Sequence, residues 1–367
     1  MSMQGRFFLR AGLAYAAALA ATSSATSRAA NQEPAGLNLG STSFYDGFGR
    51  NQEGFTYLVY AQYGRARSIN GDDGNPATHC STPTTCIGIF NSPKIDAYLL
   101  VNQLVYTLPE KLFDDNAHLG INFILPLVAF DTKFRPPPPL LGTQLNDNGI
   151  GLGDLTFGPL LQFKPLVAGG RPVFSHRAEI DFILPTGKYD PRKDINQGAN
   201  FMSFNPYWAA TVLPLPYLEI SARFHYLYNF KNLRPALGYL YGLQVQPQNA
   251  AGSALKSAQA GQAAWVNFTV SYDVLGLVGA GRGLHVGVNG YYFTQFNLDK
   301  WEYFDGTSDP GTDTYNDGVK ASFLGIGPGA LLELGEHEKL FANVYFQTLV
   351  YNRPESTVFN LHWVHGF

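Results

Sequence analysis

A chain of 367 residues with 25 basic and 28 acidic side chains carries a net charge of −3, which argues against the basic surface that nucleic acid requires. Charged residues make up only 14% of the sequence, against about 25% in an ordinary soluble domain, and aromatic residues also reach 14%. The surface is therefore poor in charge, yet no run of about eighteen apolar residues follows the amino-terminal region, so a helical membrane span is excluded as well.

In chain order, Arg6 and Arg10 precede an apolar stretch from Ala11 to Ala21 and a small-residue region from Thr22 to Ala30. This is the three-part layout of a secretory signal peptide, with cleavage after Ala25 or Ala29. Residues 1–30 are read as that peptide, residues 31–53 as a segment that hangs in the periplasm or plugs the fold, and residues 54–367 as the folded body. Removing Arg6, Arg10 and Arg28 along with the peptide takes the net charge from −3 to −6. Cys80 and Cys86 flank a short loop, and in an exported chain a small disulfide explains them better than a metal site, which needs more ligands.

Twelve strands are predicted, at 55–64, 94–107, 117–128, 151–164, 172–185, 200–213, 217–230, 263–275, 283–297, 320–334, 338–352 and 357–367. Several alternate cleanly: Leu218, Ile220, Ala222, Phe224, Tyr226 and Tyr228 oppose Glu219, Ser221, Arg223, His225 and Asn229. Apolar side chains on one face and polar ones on the other are the period-two signature of a lipid-exposed strand around a polar lumen. The links between strands alternate between long and short, as the outer loops and periplasmic turns of a barrel do. Only Arg353 to Ser356 is short where a long link is due. The fold class is thus all-β, a closed antiparallel transmembrane β-barrel of about 12 strands with both termini periplasmic, since backbone groups in lipid must all be paired. A soluble β-sandwich is the alternative.

The last strand alternates Phe359, Leu361 and Trp363 with Asn360 and His362 and stops at Phe367. It resembles the closing strand of bacterial outer-membrane barrels, which implies that Phe367 is read by the outer-membrane barrel assembly machinery.

If the strand registers hold, Asp154, Lys164, Arg177, Glu179, Asp181, Glu219, Arg223, His225, Asp273 and His285 point into the lumen. Either they form a constriction that filters solutes by charge and size, or they pair with one another and fill a narrow barrel. Trp265, Tyr291, Phe293 and Tyr345 offer a track for aromatic rings or simple lumen packing. Gly151, Gly153 and Gly158 lack the Lys-Ser/Thr of a phosphate loop and are read as a bend in strand four. Gly325, Gly327 and Gly329 alternate on one face and imply close approach by a plug or a neighbouring side chain. No cofactor or metal is expected. Catalysis by Ser175 and His176 is disfavoured because adjacent strand residues point to opposite faces, and no Gly-x-Ser-x-Gly elbow is present.

Some of these residues also form a family pattern. Gly151-Leu152-Gly153-Asp154-Leu155 leads into Gly158-Pro159-Leu160, and a later strand ends Leu184-Pro185-Thr186-Gly187-Lys188-Tyr189-Asp190-Pro191. Asn200 to Pro206, Tyr226 to Asn232, Gly290-Tyr291-Tyr292 and Gly325 to Gly329 complete it. With these pieces the chain resembles the Putative MetA-pathway of phenol degradation family of outer-membrane proteins, over nearly all of the mature sequence. Departures fall in loops, at Pro136 to Pro139 and Ala250 to Ala264. The resemblance implies a channel in the bacterial cell outer membrane, among lipid and lipopolysaccharide, that assists passive uptake of small hydrophobic or aromatic solutes. A structural or closed barrel without transport is the alternative.

Overall fold

In the computed structural model the polar and apolar alternation closes into a barrel. Residues 34, 37–41, 43–82, 85–88, 90, 92–134, 145–236, 255–279, 283–303, 314–317 and 320–367 are described. The signal peptide and the Pro136–Pro139 run lie outside them, as does Ala250–Ala264 as far as residue 254.

The barrel strands are β1 (Gly54–Ile69), β2 (Lys94–Leu112), β3 (Ala117–Lys133), β4 (Leu155–Phe163), β5 (Arg171–Leu184) and β6 (Ser203–Leu215). They continue as β7 (Leu218–Asn229), β8 (Ala263–Asp273), β9 (Leu284–Gln295), β10 (Ser322–Glu333), β11 (Glu338–Tyr351) and β12 (Pro354–Gly366). Each pairs antiparallel with the next, and β12 returns to β1 through Tyr60↔His362 and Ala61↔Leu361, closing a 12-strand barrel with no free edge. Strand β4 has 9 residues and β2 has 19. Nine to eleven tilted residues cross a bilayer, so the longest strands project beyond it.

Alternation assigns the faces. On β7, Ile220 and Phe224 are 42% and 51% exposed while Glu219 and Arg223, the residues just before them, are 0% and 3% exposed. The apolar face looks at lipid and the polar face at the lumen. Neighbouring strands stack aromatic rings across the outer wall, as in Trp208–Phe224 at 5.9 Å and Phe157–Phe182 at 5.6 Å. Near one end, Phe55 stacks on Tyr106 at 4.5 Å and His365 meets Phe367 at 4.5 Å, forming part of an aromatic girdle. Small side chains at Ala61, Ala129, Ala330 and Ala342 leave a groove of about 820 Å³ on this lipid face, away from the polar lumen.

Two ends of the barrel differ. One carries short turns, including 113–116, 216–217 and 334–337, together with Phe367. At the other, the longer links, expected as loops, carry strands of their own. Leu255–Gln259, Lys300–Tyr303 and Thr314–Asp317 form a three-stranded sheet. Thr78–Thr82 and Thr85–Gly88 form a hairpin that sets Cys80 opposite Cys86 in backbone register. The side chains of both cysteines lie outside the described residues. The anomalous short link is a two-residue turn, Asn352–Arg353, in which Asn352 takes a left-handed φ of 58°.

Strand four is not continuous. Ile150–Leu152 pairs with β3, and Gly153-Asp154 then interrupts the strand before β4. A Cβ on Gly153 would lie 2.8 Å from the Pro126 ring. The bend read from the glycines is therefore a break held by side-chain bonds.

Candidate functional site

Described residues between Leu37 and Asn51 run inside the barrel and touch strands on both sides of the lumen. At the start, the Asn38 carbonyl accepts hydrogen bonds from Trp265 Nε1 at 2.8 Å and Asn267 Nδ2 at 2.9 Å. The Gly40 N–H donates to Asn267 Oδ1 at 3.1 Å, while its carbonyl accepts from the Tyr345 hydroxyl at 2.8 Å and Asn360 Nδ2 at 3.1 Å. Gly40 has a φ of 73°, and a Cβ there would come within 2.7 Å of the Tyr291 ring. Only glycine meets both demands. Asn343 Nδ2 then donates to Ser43 Oγ at 3.1 Å.

Further along, the Tyr45 N–H donates to Glu219 and the Tyr45 hydroxyl meets His285 Nε2 at 3.3 Å. Asp46 pairs with Arg223 at 2.9 Å, with side-chain exposures of 2% and 4%. Burial makes this pair specific, because either charge left alone would be costly. The Gly47 N–H donates to Thr211 Oγ1 at 2.9 Å, and its carbonyl accepts from Ser175 Oγ at 2.8 Å and Gln162 Nε2 at 3.1 Å.

The lumen candidates fall into three groups. Arg177, Glu179, Asp181, Arg223 and His225 converge around Tyr207. Glu179 accepts from Asn122 Nδ2 at 2.6 Å and from the Tyr207 hydroxyl, and Arg177 Nη2 donates to the same hydroxyl at 2.8 Å. The Arg223 guanidinium lies 4.7 Å from the Tyr207 ring centroid, and His225 stacks on Trp265 at 4.2 Å. Glu219 and His285 form the second group, beside Tyr45, and Glu219 accepts from Ser221 Oγ at 2.6 Å and from Ser271 Oγ.

Asp154, Lys164 and Asp273 make up the third group, at or just beyond the ends of their strands. Asp154 is wholly buried at the strand break, where it accepts from the Gly187 and Ala199 N–H groups at 2.8 and 2.7 Å. It ties down the 185–199 loop. Lys164 is exposed in the turn after β4, and its N–H donates to the Asn116 carbonyl at 2.9 Å. Asp273 caps the one-turn helix Val274–Leu277 by accepting from the Gly276 N–H at 2.9 Å. For Lys164 the inward alternation was carried past the end of β4 at Phe163, whereas Asp273 is still paired with His285 as the last residue of β8.

The four aromatic candidates Trp265, Tyr291, Phe293 and Tyr345 are buried with Phe323 in one cluster, against which Leu37 and Leu39 pack. Gly325 sits beneath Tyr291, whose Cζ would be 2.3 Å from a Cβ at that position, so a neighbouring side chain explains this glycine. Ser175 is buried against Gly47, whereas His176 stacks outside on Phe163 at 4.1 Å. At the long-loop rim, Arg192 at 2.9 Å and its N–H hold the Asp190 carboxyl down to about 2.

A cavity of about 430 Å³ lies at the short-turn end, walled by Leu58, Val105, Leu160 and Phe341 and capped by Arg177 and Arg223. A second one of about 40 Å³ lies beyond it, and Tyr60, Gln103 and Arg223 line both. These three form the partition, in which the Tyr60 hydroxyl donates to Gln103 Oε1 at 2.7 Å.

Residues 68–363 match the family described as Putative MetA-pathway of phenol degradation. The chain belongs to this family. The crystal structure of an outer membrane channel from Pseudomonas putida F1 is similar to it at 16% identity and a TM-score of 0.59, covering 92% of this chain and 100% of that one. The transport unit of the autotransporter AIDA-I from Escherichia coli aligns at 8% identity and a TM-score of 0.44, over 86% of this chain and 91% of that one. A FadL homologue from Pseudomonas aeruginosa aligns at 11% identity and a TM-score of 0.38, over 85% and 90%. The fold comparison rests on the first of these. No curated protein matches the sequence. For this family member, the closed barrel with its lipid-facing apolar wall is a protein of the bacterial outer membrane.

Proposed function

We propose that the protein is a passive channel for small hydrophobic or aromatic compounds, and that residues 31–53 act as its plug. The observation that carries this is the cavity of about 430 Å³ inside the barrel, apolar along Leu58, Val105, Leu160 and Phe341 and lined on one side by the peptide from Ser43 to Gln52, which is held without covalent bonds. A barrel built only as a wall gains nothing from such a space. Its volume suits a small ring compound, since ligand pockets run from about 300 to 1,000 Å³. The family match to a phenol-degradation description and the fold shared with an outer membrane channel support the same reading.

In this reading the short-turn end faces the periplasm, both termini lie there, and the long-loop rim meets lipopolysaccharide. Residues 1–30 are the cleaved export signal. Phe367, 66% exposed beside His365, is presented to the barrel assembly machinery. The role is transport without catalysis.

Cells making the protein should take up labelled phenol several-fold faster than cells lacking it, with assembly checked by heat-modifiable migration on a gel. Equal uptake with an assembled barrel would favour the structural alternative, to which the paired lumen charges lend support.

A further inference from the structure

The lining of the short-turn cavity is unbalanced in charge. Arg50, Arg177, Arg223 and Lys339 face it, against the carboxylates of Asp46 and Glu336. Lys339 is partly occupied by Glu333 at 3.7 Å, and Arg50 Nε donates to the Glu53 carbonyl at 3.1 Å. Arg177 and Arg223 lie at the inner end, where Nε of each is buried and donates to nothing among the described residues. Buried N–H donors on guanidinium groups normally find acceptors, because desolvating them unpaired is costly. Next to them, one carboxylate is supplied by the amino-terminal segment: Asp46, on Arg223 Nη2 at 2.9 Å.

The geometry points to a carboxylate-binding subsite at Arg177 and Arg223, occupied by Asp46 in the closed state and exchangeable for the carboxylate of a small amphipathic organic acid. The inference rests on the channel reading and names a solute class for it. A guanidinium presents N–H donors in a planar fork that matches a carboxylate, which makes arginine suited to this task. The rest of such a solute, an aryl or short alkyl group, would lie along Leu58, Val105 and Leu160, which line the same cavity. Glu179 does not take the place of the solute, because Asn122 and the Tyr207 hydroxyl already engage it. Asp181 lines the smaller cavity on the far side of the partition instead. The acid thus has a function beyond binding: by replacing Asp46 it removes one of the polar bonds that hold the Tyr45–Gly47 stretch to the wall, so the solute itself loosens the plug.

Titration calorimetry of the whole protein in a non-ionic detergent tests this with benzoate, benzyl alcohol and benzylamine, which share a ring and differ in charge. Benzoate should bind about tenfold or more tightly than benzyl alcohol, and benzylamine most weakly, as expected when a charged hydrogen bond is added or opposed. Arg177→Gln and Arg223→Gln should remove the preference for benzoate. Asp46→Asn, which deletes the competing charge at constant size, should raise benzoate affinity several-fold and change benzyl alcohol affinity far less. Heat-modifiable migration shows which variants assemble. If either arginine variant does not, the native ligand series and Asp46→Asn decide alone. Equal affinity for benzoate and benzyl alcohol overturns the subsite, and unchanged benzoate affinity in Asp46→Asn overturns the exchange. Faster phenol uptake without benzoate preference would sink the subsite alone, whereas absent phenol uptake would sink the channel reading whatever benzoate does.

Discussion

One stretch of the amino-terminal segment is held by ring packing together with hydrogen bonds, and the next mainly by polar bonds. Leu37 and Leu39 lie against Trp265, Tyr291, Phe293, Phe323 and Tyr345, rings that are at most 3% exposed. Tyr45 to Gly47 lie against Gln162, Ser175, Thr211, Glu219 and Arg223. The difference bears on which contact gives way first. Packed rings lose dispersion and burial energy outright when separated, with nothing to replace it. A hydrogen bond yields only about 1 kcal/mol net, because water or a polar solute offers a substitute. The aromatic wall therefore anchors the segment, and the polar wall, beside the cavity, is where it detaches.

The largest test of this contrast is Trp265→Ala. The indole packs against Phe293 at 6.1 Å and His225 at 4.2 Å, and its Nε1 donates to Asn38. Its loss should destabilise the barrel by about 3–5 kcal/mol, the usual cost of a large buried ring. Denaturant titration of the heat-modifiable form measures this, and a cost under about 1 kcal/mol would mean that the aromatic wall is not the anchor.

Next in size is Gly47→Val. A Cβ at Gly47 would sit 2.2 Å from the Ser175 carbonyl and 2.5 Å from the Thr211 N–H, both backbone, so the segment must leave that wall. Three hydrogen bonds go with it, together worth about 3 kcal/mol. That loss shifts an open–closed equilibrium by about two decades. Single-channel recordings should show the open level far more often, while barrel stability stays near native. A more open channel with a destabilised barrel would instead mean that the polar wall carries the fold.

The contrast between the walls was only partly visible in the sequence. Each barrel strand was found because alternation is local: Glu219, Ser221, Arg223 and His225 fall on one face wherever the strand lies, and closure follows because lipid tolerates no free edge. The polar wall was therefore readable residue by residue. Its partner was not, since Asp46 meets Arg223 across 177 residues and no local pattern announces that pairing. Gly40 and Gly47 carried a faint signal as glycines in a segment without sheet character, but only the rings and backbone around them show why they are glycine. Periodicity also overran its domain at Lys164, which lies exposed in the turn after β4.

The smallest effects come from Asp273 and Lys164, and the second tests the boundary of the lumen itself. Asp273 accepts from the Gly276 and Leu284 N–H groups, at 2.9 and 3.1 Å, so Asp273→Ala should cost about 1 kcal/mol, as the loss of a helix cap does. Lys164 is exposed, and Lys164→Gln should change stability by no more than about 0.5 kcal/mol. Lys164 points to solvent rather than to the Arg177–Arg223 site, so phenol uptake and benzoate affinity should stay at native values in Lys164→Gln. Changed uptake in an assembled Lys164→Gln barrel would place its charge on the solute route after all, and the division between a working wall and inert turns would have to be redrawn at the short-turn end.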